Sequence, residues 1–156
     1  MASSTDPNLG LTHSWDFRES GWKTGMDANL KKLGAVVQLA VVSMSDDIPA
    51  SPANGDRHII PAGATSDWAA RAGQIAVRVA GAWEYYIPAA GWRARVMDTG
   101  AMATFTGSAW ASDWTAPPTA PGDSGIPGQM ARQPGYLYVC VAVDTWERVA
   151  TEQTWS

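Results

Sequence analysis

Two histidines, one cysteine and fifteen carboxylates are the groups with which acid–base or metal chemistry would begin in this 156-residue sequence. His13 and His58 lie in separate segments, and His58 sits inside the strand-like run RHII. A histidine metal site needs further ligands at set spacings, and neither H-x-x-x-H nor D-x-D-x-D occurs. There is no G-x-S-x-G elbow and no P-loop. Asp16, Asp27, Asp56, Asp98, Asp123 and Asp144 fall mostly at turns or caps. A glycosidase pair of carboxylates forms in space rather than in sequence, but the chain offers few long strands to frame a cleft. Cys140 has apolar neighbours and reads as a small buried hydrophobe. As the lone cysteine it makes no disulfide within the chain and no cysteine zinc cluster. These residues predict no catalytic centre, no cofactor and no metal.

The aromatic residues are the stronger signal, because nine tryptophans is a high count for this length. Three of them repeat one arrangement: an alternating run reaches a turn, and a tryptophan follows. Trp83, Trp110 and Trp146 come after the runs beginning at Ile75, Met102 and Tyr138. Repetition at one hairpin position favours a structural lock, since aromatic cross-strand pairs contribute roughly 0.2–1 kcal/mol. Trp68 and Trp114 differ in ending two copies of Ser-Asp-Trp in loop-like contexts. Those two are the candidates for exposure and for stacking on a glycan, with burial as the safer alternative. Gly55-Asp56-Arg57 resembles a signature but reads as a turn: glycine permits positive φ and Asp56 binds its own backbone.

Elements that would position these residues follow from periodicity. Residues 1–21 are polar, with Pro7, Trp15 and Phe17 as isolated anchors, and read as an extended arm. A helix is predicted over TGMDANLKKLGAVVQLAV, with Met26, Leu30, Leu33, Val37 and Ala40 on one stripe. Thr24 or Asp27 would serve its first turn. Met26, Leu30, Leu33 and Val37 would pack either on a sheet of the same chain or along a short trimeric coil. Pro49 and Pro52 then break the helix. Strands are predicted at about 74–80, 83–87, 92–97, 101–106 and 109–111, as one β-meander within a domain of residues 22–114. Residues 115–128 are a Pro/Gly-rich tether, in which Pro117, Pro118 and Pro121 hold the chain extended. Residues 129–156 form a final β-hairpin whose first strand is apolar on both faces. A lone hairpin is marginal in water, so this one needs cover.

Charged residues are only 17 % and apolar ones 46 %, so the apolar surface exceeds what one small domain buries. A net charge of −4 with no basic stripe argues against nucleic acid. No apolar run is long enough for a membrane helix. The first residues lack the basic and apolar regions of a signal peptide, which predicts synthesis and folding in the cytoplasm.

ESGWKTGMDANLKKLGAVVQLAV, followed by PASPANGDRHIIPAGATSDWAARAGQIAVRVAGAWEYYIPAAGW, resembles a family of tailed bacteriophages and prophages. Its members are described only as virion or tail-associated proteins. The similarity covers about residues 8–111. The ending GQMARQPGYLYVCVAVDTWERVA is similar to a short β-module near the C-termini of phage fibre proteins. The resemblance implies a virion structural protein of a trimeric fibre or tip, with no catalytic residues. The expected fold is mainly β with one N-terminal α-helix: a small β-meander domain, a Pro-rich tether and a terminal β-hairpin, assembled as a trimer. The implied partners are further copies of the chain, other virion proteins through the arm, and a host surface glycan. A capsid decoration or head-fibre protein, or a carbohydrate-binding adhesin, is the alternative.

Overall fold

A computed structural model describes residues 3–151. The chain is mainly β, with one α-helix and four small sheets among the described residues. The segment read as an arm carries two short strands, β1 (Ser4–Thr5) and β2 (Thr12–His13), paired antiparallel. It lies against the helix: Asn29 accepts from the Thr12 amide at 2.9 Å and returns a bond to the Thr12 carbonyl at 2.7 Å. Trp15 covers Gly25, where an added Cβ would come within 2.6 Å of the indole. Phe17, expected to anchor, is 90 % exposed.

The helix, α1, spans Trp22–Val36 and is shorter at its C-terminal end than predicted. Gln38 takes a left-handed conformation (φ 49°), and the chain turns there. Ala40, expected on the helical stripe, instead begins β3 (Ala40–Val41). Neither Thr24 nor Asp27 caps the helix: Gly21 precedes it at φ 89° without a side-chain cap, and Asp27 pairs with Lys23.

Seven further strands come next in the chain. They are β4 (Arg57–Ile59), β5 (Ile75–Val79), β6 (Ala82–Tyr86), β7 (Arg93–Val96), β8 (Met102–Phe105), β9 (Trp110–Ser112) and, after the Pro-rich segment, β10 (Met130–Gln133). The turn joining β5 to β6 places Ala80 and Gly81 at φ 48° and 83°, the positive values of a tight hairpin. Asn54 holds it by accepting from the Ala80 amide at 2.7 Å.

The predicted single meander is in fact two sheets. One has the order β4-β5-β6 and the other β3-β7-β8-β9. Strand β7 is flanked by β3, in parallel, and β8, so it has no edge left for β6. Residues 87–92 therefore cross between sheets rather than closing a hairpin. The segment 40–43 links the two sheets, because Val42 donates to Arg57 O while Ile59 donates to Ser43 O. Val41, Ile75, Ala94, Val96 and Ala103 are fully buried in the core between them.

The second face of the β4-β5-β6 sheet is also covered. Period-two alternation puts His58, Ala76, Arg78, Trp83 and Tyr85 there. Trp68, at the end of a 3₁₀ turn (Ser66–Trp68), plugs that face together with Ile60.

The terminal module is a three-stranded sheet rather than the predicted hairpin. β10 pairs with β11 (Tyr136–Ala142), which pairs with β12 (Thr145–Ala150). Ala131, Tyr138, Cys140 and Trp146 fill its buried side. The Pro-rich segment 115–128 runs beside this sheet: Trp146 donates from its amide to Pro121 O and from its indole to Asp123 O.

Candidate functional site

The helix presents a row of solvent-facing apolar side chains. Its inward side carries Ala35, the one buried residue of α1, with Asn29, Leu33 and Val36 half-buried. The opposite side shows Trp22 at 55 %, Met26 at 39 % and Leu30 at 61 % exposure, continued past the helix end by Val37 at 53 %. Of the predicted packing residues, then, Met26, Leu30 and Val37 do not lie on a sheet of their own chain, and Leu33 only partly does. The cause is register. Asn29 is drawn inward by its paired bonds to Thr12, and Trp15 covers Gly25, so Met26 and Leu30, each one position further on and about 100° round the helix, are turned out. The terminal sheet has a second such face, where Val141 and Val149 are exposed and Leu137 and Val139 half-buried.

The five singled-out tryptophans divide by environment. Trp68 is completely buried and offers no face to a sugar, which removes it as a glycan candidate and agrees with burial, the safer alternative. It meets His58 at 5.5 Å and Trp83 at 5.2 Å between ring centroids. Trp114, ending the other Ser-Asp-Trp, is 41 % exposed. It lies in a groove of about 520 Å³ with Met44, Thr99, Ser112 and Arg132, whose guanidinium sits 5.9 Å from the indole. That groove marks the junction with the terminal sheet, where Met130 N donates to Asp113 O and Thr115 N donates to Met130 O.

Trp83, Trp110 and Trp146 stand directly across their hairpins from Arg78, Phe105 and Cys140. Two of them also hydrogen-bond beyond the hairpin through the indole. The Trp110 indole donates to Gly73 O at 2.8 Å, which ties one sheet to the loop preceding β5. The Trp146 indole packs over Gly125 as well as bonding Asp123 O.

The ionisable groups converge little. Among the described residues no group of three or more His, Cys, Asp or Glu side chains is placed to hold a metal ion. His58 is 3 % exposed, and neither ring nitrogen has a hydrogen-bond partner. Burial lowers its pKa below the ordinary histidine value, against the pull of Asp56, Asp46 and Asp98. Glu84 is held below the usual carboxylate range by its hydrogen bond from Lys31, while burial and Glu84 push Tyr86 up to about 12. Asp56 accepts from the Ala53 amide with Gly55 at φ 96°, so Gly55-Asp56-Arg57 is a turn as read. Cys140 is buried.

Arg71, Arg78 and Tyr85 drew no attention in the sequence. The available signal was Arg78 itself, a cation inside the apolar run IAVRV that alternation sets opposite Trp83.

Residues 26–111 match the family described as Protein of unknown function (DUF2793). That stretch covers more than half of the chain, which belongs to this family. No curated protein gives a significant match.

Proposed function

We propose that this member of the family is a bacteriophage virion structural protein, a tail-fibre or tail-tip component that acts in assembly and host attachment. The phage setting rests on the resemblance of ESGWKTGMDANLKKLGAVVQLAV and the C-terminal YLYVCVA element to virion and fibre proteins. The assembly role rests on one observation: the chain packs three cores yet leaves the stripe Trp22, Met26, Leu30 and Val37 in solvent. Apolar faces of this kind mark surfaces that another protein covers. Copies of the chain are the occupant this proposal commits to. A helix of fifteen residues gives about two heptads, too few to hold a trimer alone. The exposed face of the terminal sheet, with Val141 and Val149, supplies the second contact.

No residue set in this function is catalytic. A head-fibre or capsid decoration protein would use the same surfaces at another place on the particle. Adhesion through Trp114 is the second reading, favoured by its exposed indole beside Arg132 in the junction groove. Antibody labelling of purified phage particles, viewed by electron microscopy, tests the proposal. Label at the distal tail is expected, label over the head would move the protein to the capsid, and unlabelled particles with antibody access confirmed would refute a virion role.

A further inference from the structure

A groove of about 640 Å³ lies at the rim of the covered face of the β4-β5-β6 sheet, lined by Asp67, Arg71, Arg78, Trp83 and Tyr85 among others. Two guanidiniums border it, each held over an aromatic ring. Arg71 sits 4.0 Å from the Tyr85 centroid and Arg78 sits 5.3 Å from that of Trp83. Among the described residues, neither takes part in an ion pair with a carboxylate.

The groove is also built from behind. Trp83 is fixed edge-on by Trp68 at 5.2 Å and by His58 at 5.9 Å, so its indole is set by the core. Arg78 is anchored through its backbone, donating to Asp56 O and accepting from Gly55 N, each at 2.8 Å. The turn after Trp68 places Arg71, whose amide donates to Trp68 O, and the Tyr85 hydroxyl bonds Asp67 O at 3.2 Å.

We propose that this groove binds an acidic saccharide. Guanidinium forks present paired N–H donors that match a carboxylate, and stacking on an aromatic ring leaves those donors free. The Trp83 and Tyr85 rings supply apolar surface for a sugar face. The one carboxylate on the rim, Asp67, opposes a bare anion but accepts from hydroxyls, which a saccharide carries densely. A nucleic acid is the poorer fit, because its phosphates need an extended basic track that this chain lacks. The volume suits one to a few sugar rings. This deepens the host-attachment part of the proposed function, and it is tested on the isolated chain, so its failure leaves particle labelling untouched.

The test is titration of the full chain with trigalacturonate, oligosialate and a hyaluronate oligomer, followed by tryptophan fluorescence and calorimetry. Maltotriose, inorganic phosphate and duplex DNA serve as comparators. Saturable binding of at least one acidic saccharide, weakening with salt and at least about tenfold tighter than maltotriose, is the expected result. Arg71→Gln and Arg78→Gln should each weaken it by about tenfold or more, with melting temperature unchanged. Failure of all three acidic probes, equal binding of maltotriose, or binding indifferent to both substitutions would overturn the proposal. So would phosphate or DNA binding as tightly as the saccharide.

Discussion

At the scale of single residues, the two Ser-Asp-Trp triplets show what a local pattern conveys and what it does not. Both were legible as short turns bearing an aromatic, yet Trp68 is fully buried and Trp114 is 41 % exposed. The difference lies in the surroundings: Trp68 meets a sheet face already carrying His58 and Trp83, whereas Trp114 lines a groove beside Arg132. Trp68→Ala should therefore cost about 3–5 kcal/mol in urea unfolding, the range for a buried large-to-small change. Trp83→Ala should lower the melting temperature as well. Unchanged folding with lost glycan binding would show that Trp83 is a contact and not a lock. His58 makes a pH prediction with a definite sign. Its folded pKa is depressed, so the unfolded chain takes up a proton first as pH falls below about 6.5. Stability is then lost on going from pH 7.5 to 5.5, and His58→Gln should flatten that part of the melting-temperature profile.

At the scale of elements, strands were the most legible feature because alternation and turn residues are local. Each predicted strand from 74 to 111 appears within a residue or two. Their grouping into two sheets was not legible, since it depends on β3 entering beside β7 from more than fifty residues away. The helix was legible in type but not in orientation, because Asn29 and Gly25 face inward for reasons set by the segment before it. Close approach governs the Pro-rich segment. An added Cβ at Gly125 would lie 2.7 Å from the Trp146 indole, so Gly125→Ala should destabilise the terminal sheet by about 1–3 kcal/mol. Amide exchange across β11 and β12 would report it. On the helix, Leu30→Glu falls on a side chain 61 % exposed and should leave the isolated fold intact. Assembly makes melting temperature depend on protein concentration. That dependence should be present in the wild type and lost in Leu30→Glu.

At the scale of the whole molecule, the composition foretold a surplus of apolar surface, and the structure places part of it on one helix face and one sheet face, with Phe17, Ile87 and Met97 exposed elsewhere. The Arg71–Arg78 groove stayed hidden because it unites a turn and two strands that only the folded sheet brings side by side. Self-assembly through the two apolar faces is the central claim. Sedimentation equilibrium of the purified chain over a wide concentration range tests it most directly. A mass of three 16.6 kDa chains, persisting to low concentration, is the predicted result. A single-chain mass at every concentration would contradict it.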